Sequence, residues 1–287
     1  MEAMLARTPR RPAHFRRFRT TFASLAGTAL VLCLVLASSR PATSAEIDTA
    51  RSQFAKGDYA SASDTLREAI NERPRGDEWH IILIRALMAQ GLYPDAQSAL
   101  TNALARSSRS LPLHWLARDV FRANGHPDRA AERVGEIPKL VSQRPWTYRD
   151  AENLIPFGRA MLVLGADPKE VLDKVFATAK RSSPDLLDLY LASGELALEK
   201  NDFALAAKHF DEGLKRHPKD PDLLHGRALA FAGSDREEAS KMLTAALEAN
   251  PRHAPTLLLL ADHRIDSEDY PGALEVLNEI RKTNPWN

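Results

Sequence analysis

The amino-acid sequence predicts an all-α fold in which about seven helical hairpins stack in order to form a solenoid. The first observation behind this prediction is a motif of small, large apolar and proline residues that returns about every 34 residues. A repeat of that length is typical of stacked helical hairpins. The second observation is composition, since 44% of the chain is hydrophobic and only 13 of its 287 residues are glycine. Such a composition suits helix packing and leaves little material for a β-rich fold.

Residues 1–45 differ from the rest of the chain and predict an export segment. Six arginines precede an uncharged run over 20–39, and Arg40-Pro41 separates that run from the small residues of 42–45. A basic head, an apolar middle and a small-residue exit are typical of a cleaved secretory signal. The run is also long enough to remain as a membrane anchor, so both interpretations stay open. In either case the positive-inside rule predicts that the remainder lies outside the cytoplasm, in the periplasm or beyond, with membrane contact only through 20–39 if the signal is uncleaved.

The charge and cysteine content of residues 46–287 argue against certain partners and certain kinds of site. The whole chain has 39 basic and 38 acidic residues, and seven arginines and one glutamate fall in 1–45. The remaining 32 basic and 37 acidic residues give 46–287 a net charge of −5, which argues against nucleic acid as a partner. Cleavage would also remove Cys33, the only cysteine, and with it any disulfide, thiolate metal site or cysteine nucleophile.

The repeat can be followed from residue 43 to the end with proline at place 32 of 34. The seven units are 43–76, 77–110, 111–144, 151–186, 187–220, 221–253 and 254–287. The second half of the motif reads Tyr59, Ala62, Leu66, Ala69 and Pro74 in unit one, Phe203, Ala206, Phe210, Gly213 and Pro218 in unit five, and Tyr270, Ala273, Leu277, Ile280 and Pro285 in unit seven. Small residues at places 8, 20 and 27 let helices approach closely, and large apolar residues between them fill the space. Glycine or asparagine ends the first helix of a unit, and proline ends the second.

Unit three departs from this pattern and predicts an irregularity. Val134, Ile137 and Pro138 replace the usual second-helix residues, and we expect Pro138 to cut that helix short. Extra residues over 145–150 follow before unit four begins. The sequence therefore predicts a joint at 145–150 that divides the solenoid into 46–144 and 151–287.

With these residues, the pattern resembles the tetratricopeptide repeat over about residues 43–287. The resemblance implies a right-handed superhelix after the signal or anchor helix, with the first helix of each unit lining a concave groove that binds a protein or peptide partner. A second, weaker resemblance, over 257–287, is to repeat regions of large exported bacterial proteins that carry a zinc metallopeptidase-like domain further along.

No motif predicts catalysis. Nine histidines are scattered without ligand spacing, and nucleotide-binding glycine loops, zinc-protease and nucleophile-elbow motifs are missing from the sequence. We therefore expect no enzyme activity, no metal and no cofactor in this chain.

The resemblance implies that places 2, 5, 9, 12 and 13 face the groove, and this predicts the candidate binding residues. Place 9 changes from basic to acidic along the chain, and place 5 is mostly apolar. The predicted groove residues are Arg51, Arg85, Trp115, Arg159, Glu195 and Asp262. We expect the three arginines to hold an acidic or C-terminal peptide segment, because a guanidinium can bind a carboxylate through two hydrogen bonds. The alternative is that these residues are only solvated or form salt bridges between units. The asparagine with which the family's peptide-carboxylate clamp fills place 9 is missing here, so binding of chaperone tails is not expected.

Three functions fit the sequence. The first is an exported scaffold that binds a protein partner in its groove. The alternatives are the N-terminal repeat region of a larger exported metallopeptidase-like protein and a membrane-tethered spacer. Unit seven finishes at a repeat boundary without a polar capping helix, so we expect either that the last helix is amphipathic enough to face water or that more protein follows Asn287.

Overall fold

The structure, a computed structural model, describes residues 44–72 and 76–286. Residues 1–43 of the proposed signal or anchor, which spans 1–45, and Pro74 at the end of unit one lie outside the described residues. Those that are described form fourteen helices and no strand, and belong to one compact unit. The helices of units one to four are α1 Ser44–Ala55, α2 Tyr59–Asn71, α3 Glu78–Ala89, α4 Tyr93–Arg106, α5 Leu111–Ala123, α6 Pro127–Gln143, α7 Ala151–Val163 and α8, which has three consecutive parts, Pro168–Glu170, the π-helical turn Val171–Phe176 and Ala177–Ser182. Those of units five to seven are α9 Leu187–Glu199, α10 Phe203–Leu214, α11 Pro221–Phe231, α12 Arg236–Ala249, α13 Ala254–Asp266 and α14 Tyr270–Thr283.

The predicted all-α solenoid of seven hairpins is confirmed. Each unit contributes one hairpin, and consecutive helices pack against each other from α1 to α14. The second helix of a unit usually begins at an aspartate whose carboxylate accepts a hydrogen bond from the backbone N–H three residues later, which satisfies a donor that the helix leaves free. These capping residues are Asp58, Asp167, Asp202, Asp235 and Asp269.

Short turns join the two helices of each unit, and in all units but the sixth the turn places one residue in the left-handed region. Glycine fills this position in the first four units, with φ between 72° and 90° at Gly57, Gly91, Gly125 and Gly165. Asn201 and Glu268 take the same position in units five and seven, with φ of 58° and 61°. These six turns therefore share one backbone conformation even where the residue is not glycine.

The expectation that Pro138 would cut its helix short is wrong. Helix α6 continues past Pro138 to Gln143. Proline inside a helix removes one hydrogen bond and costs about 3 kcal/mol. Helix α6 buries Val134, Ile137 and Leu140 in one cluster with Leu111 of its own unit and Ala160 of unit four. Burial of three such side chains contributes roughly 1.5–3 kcal/mol each, so packing outweighs the cost of the proline.

Residues 144–150 connect α6 with α7 without a helix, at the position of the predicted joint. Tyr148 of this connection is buried, and its hydroxyl donates a hydrogen bond to the carbonyl oxygen of Arg109 at 3.2 Å. The connection is thereby held against the loop between α4 and α5. The division of the repeats into two halves at this point stays a prediction.

Over the described residues, no helix combines the length and apolar character that a membrane span requires.

Candidate functional site

A large cavity lies along the first helices of the units. Its volume is about 1430 Å³, and its lining comes from units one to six. Six arginines and seven acidic residues face it, so its charged groups nearly balance, and apolar side chains line much of the rest. The arginines are Arg51, Arg85, Arg109, Arg118, Arg144 and Arg159.

The cavity brings most of the predicted groove residues together. Arg51, Arg85, Trp115, Arg159 and Glu195 all line it, as the spacing of one per repeat predicts. Asp262 does not belong to the lining; it is exposed on α13, in unit seven, which lies past the last unit that faces the cavity. Whether these residues bind a peptide stays a prediction.

Each predicted arginine already has an acidic partner within the chain. Arg51 binds Glu78 through Nε at 2.8 Å and through a second nitrogen, and this hydrogen bond is the main reason that the pKa of Arg51 is raised. Arg85 lies 3.7 Å from the carboxylate of Asp188, and Arg159 lies 2.6 Å from that of Glu195. The alternative of salt bridges between units is therefore what the structure shows for these three side chains.

The pair of Arg85 and Asp188 crosses the cavity, since it joins unit two to unit five. Both side chains are nearly half exposed, and exposed ion pairs contribute only about 0–1 kcal/mol. A charged ligand can thus displace the pair at low cost.

Trp115 lies between two arginines in the wall of the cavity. The guanidinium of Arg118 stacks on its ring 3.9 Å from the centroid, and that of Arg159 lies 5.9 Å away. A cation–π contact of this kind contributes about 0.5–2 kcal/mol, so Arg118 helps to hold the ring of Trp115 in place.

Sequence reasoning missed a row of acidic residues at place 2 of the first helices. This row lines the cavity and consists of Glu78, Glu152, Asp188 and Asp222. The helix dipole by itself favours an acidic residue in the first helical turn. An acidic residue at this place therefore does not by itself indicate that the position also lines a cavity. Their recurrence at one place of the repeat was the signal available in the sequence.

Two further arginines were also missed, because both lie outside the first helices. Arg109 is in the loop before α5 and Arg144 follows α6, and both face the cavity near Tyr148. Within 44–72 and 76–286, neither side chain forms an ion pair or a hydrogen bond. They are the free guanidiniums of the cavity.

Asp222 lines the cavity and is hydrogen-bonded to a histidine outside the lining. Nε2 of His253 donates to the carboxylate of Asp222 at 3.0 Å, and Nδ1 of His253 meets the hydroxyl of Thr256 at 2.6 Å. Loss of water contact would raise the pKa of the Asp222 carboxyl. The hydrogen bond from His253 and the charge of His253 have the larger effect, so the pKa of Asp222 lies below its ordinary value. Although enclosed by the cavity, the Asp222 side chain is 52% exposed, so it remains accessible to a ligand.

The described residues contain no group of three or more histidine, cysteine, aspartate or glutamate side chains arranged to hold a metal ion.

Comparisons with known proteins identify the family. Family models described as "Tetratricopeptide repeat" match residues 47–110, 83–118 and 191–236, and another with the same description matches 230–285. The chain belongs to the tetratricopeptide repeat family, whose members bind protein or peptide partners. No curated protein matches its sequence.

Solved structures agree with this fold. A chain of the APC/C hetero-tetramer Cut9–Hcn1 superimposes with a TM-score of 0.60 at 15% identity, over 89% of this chain and 49% of the other. A tetratricopeptide repeat protein from Parabacteroides merdae ATCC 43184 does so with a TM-score of 0.50 at 16% identity, over 83% of this chain and 91% of the other. This chain therefore spans about half the length of the first of these, and at such identities the likeness concerns the fold alone.

Proposed function

We propose that this chain is an exported, non-catalytic scaffold whose cavity holds an extended segment of a partner protein. The observation that carries the proposal is the pair of free guanidiniums, Arg109 and Arg144, which line a cavity of about 1430 Å³ together with Trp115. A planar guanidinium without an internal partner is suited to bind a carboxylate.

The segment we propose carries an acidic side chain or a terminal carboxylate that faces Arg109 and Arg144. Arg51 and Arg159 are satisfied by Glu78 and Glu195, so a ligand gains less there. A basic side chain of the same segment would bind to the acidic row at place 2, at its member Asp222. In this proposal the carboxylate faces Arg109 and Arg144, whereas binding by Arg51, Arg85 and Arg159 stays a prediction from the sequence.

Export is part of the proposal and is supported by the basic head and uncharged run of residues 1–45. Sequencing the N-terminus of the protein recovered from outside the cytoplasm tests it. A start near residue 46 supports a cleaved signal, whereas an intact residue 1 in the membrane fraction supports an anchor, and recovery only from the cytoplasm contradicts export.

Binding in the cavity is tested by photo-crosslinking in the native host. A photoreactive amino acid at Thr147, which lines the cavity, is compared with one at Thr244, which is exposed on α12 away from it. We expect Thr147 to crosslink an acidic or C-terminal segment that mass spectrometry can identify. Adducts from Thr244 alone would contradict a ligand in the cavity.

The role of the free guanidiniums is tested in the same assay by Arg109→Glu combined with Arg144→Glu. Hydrogen bonds to charged groups contribute about 1.5–3 kcal/mol, so we expect the crosslink to fall at least roughly tenfold. Arg149→Glu is the matched control, because Arg149 is exposed close to Arg144 in the chain but does not line the cavity.

A further inference from the structure

Three hydrogen bonds join the first units of the solenoid to the last ones: Nη1 of Arg252 donates to the carbonyl oxygen of Gly57 at 3.3 Å, and the other two each pair a tyrosine with an asparagine. Nδ2 of Asn250 donates to the hydroxyl of Tyr59 at 3.0 Å, and Nδ2 of Asn284 donates to that of Tyr93 at 3.1 Å. In each pair the partners are 191 residues apart. The second pair is the first one shifted by one repeat, so the contact follows from the superhelical repeat of the chain. These two bonds will be called the tyrosine–asparagine contacts.

A local hydrogen bond holds the side chain of each asparagine in the orientation of this contact. Oδ1 of Asn250 accepts from the backbone N–H of Arg252 at 3.0 Å, and Oδ1 of Asn284 accepts from that of Trp286 at 3.0 Å. The oxygen thus fixes the turn after α12 or α14, and the amide nitrogen is left to reach the tyrosine. A donor held in this way loses little freedom when the contact forms.

The turn glycines of units one and two also fit the asparagines closely. A β-carbon on Gly57 would overlap Oδ1 of Asn250, and one on Gly91 would overlap Oδ1 of Asn284. The equivalent Gly125 of unit three has the same left-handed backbone, with φ of 74°, but open space around it. The close fit is therefore particular to the two units that make the contacts.

We propose that the tyrosine–asparagine contacts are a latch that closes the solenoid on itself and controls entry to the cavity. Asn250 and Asn284 are buried, and a buried amide without a partner is unfavourable. The latch is thus either closed with its bonds made or open with both partners in water. When closed, it seals the seam where units one and two meet units six and seven. Gating of a ligand rests on the proposed function, whereas closure itself does not.

The conformational test uses the full chain in detergent with Cys33→Ser and spin labels at Lys56→Cys and Glu248→Cys, both exposed on either side of the seam. In the labelled chain without further substitutions, we expect a single short distance between the two spin labels. Tyr59→Phe with Tyr93→Phe keeps the rings and the local asparagine turns but removes the accepting hydroxyls. Loss of one hydrogen bond changes a population by up to about tenfold, so loss of both should raise the population with the longer spin-label distance by up to roughly a hundredfold. Tyr270→Phe, at the equivalent place of unit seven but 58% exposed, should change nothing.

A second pair of variants guards against simple unfolding. Gly57→Ala and Gly125→Ala put the same strain on a left-handed turn, but only the first collides with an asparagine. We expect the longer distance in Gly57→Ala and not in Gly125→Ala, with the helical circular dichroism unchanged in both. Equal distance distributions in these two variants, or an unchanged distribution in the double tyrosine variant, overturn the latch.

Gating is read from the Thr147 crosslink, whose yield should rise when the latch is opened. A seam that opens while this yield stays constant overturns the gating and leaves the proposed function intact. Loss of the crosslink in every form of the chain contradicts the proposed function instead, and the distances then still decide whether the latch exists.

Discussion

Gly194 of α9 lies directly against the ring of Phe210 of α10, so closely that a β-carbon at Gly194 would come within 3.0 Å of three ring atoms. Gly158 and Phe176 form the same contact in unit four. The small residue at place 8 and the large one at place 24 thus form one close contact between the two helices of a unit. This contact determines how closely the helices pack, and the helix spacing in turn sets the curvature that forms the cavity.

Gly194→Ala should destabilise the protein. The added methyl group collides with a fully buried ring, and overpacking of this kind costs about 1–3 kcal/mol, more than the roughly 1 kcal/mol that alanine gains over glycine in a helix. Gly135→Ala is the control, since Gly135 lies in α6 with open space around its α-carbon and should gain stability. Urea unfolding followed by circular dichroism measures both, and an equal gain in the two variants would show that the helices can move apart freely.

Asp220→Asn should stabilise the protein near neutral pH. Burial, together with the negative charge of Asp222, raises the pKa of Asp220 to about 6 from an ordinary value of 3.8. The folded state therefore prefers the protonated carboxyl, and this contribution is complete below pH 3.8 and is lost as the pH rises through 6. Asparagine avoids that loss and keeps an oxygen for the N–H of Leu223, so the variant should gain about 1–3 kcal/mol by pH 7 and little at pH 4.

Because His225 titrates in the same pH range, the effect of Asp220 can be measured as a change in the slope of stability against pH. Burial, and the charge of His253, lower the pKa of His225 to about 4 from 6.5, so its contribution is present above pH 6.5 and is lost as the pH falls through 4. The two groups oppose each other in the wild-type chain between pH 4 and 6.5. Removing the Asp220 carboxylate should leave stability rising with pH over this range in urea titrations. Parallel curves for wild type and variant would mean that Asp220 ionises normally.

Glu268→Gly should raise stability by up to about 1 kcal/mol. Glu268 has a φ of 61°, a left-handed conformation that costs a residue with a β-carbon about 1–2 kcal/mol, part of which the flexibility of glycine in the unfolded chain offsets. The same place is glycine in the first four units. Glu248→Gly, inside α12, should instead lose about 1 kcal/mol. Thermal unfolding of the two variants side by side should therefore give melting temperatures that move in opposite directions, and a shared decrease would contradict the argument.

The repeat made the local parts of the fold predictable. Hairpin order, the turn glycines and the small–large pairing of Gly194 with Phe210 follow from side chains that interact within one unit or with the next. The place of Arg51, Arg85 and Arg159 on one wall was predictable for the same reason, because equivalent places of a repeat face the same side. Pro138 shows the limit of local rules, since the helix continues where packing with another unit outweighs a missing hydrogen bond.

The sequence by itself determined an all-helical solenoid, its seven units and the row of arginines along the first helices. The tertiary structure alone decided which of those arginines are already neutralised, that Arg109 and Arg144 are the free ones, and that Tyr59 and Tyr93 meet asparagines 191 residues away. The physical reason is that a repeat fixes each step from unit to unit. Contacts across a full turn depend on the sum of those steps, and a small difference in each decides which distant side chains meet.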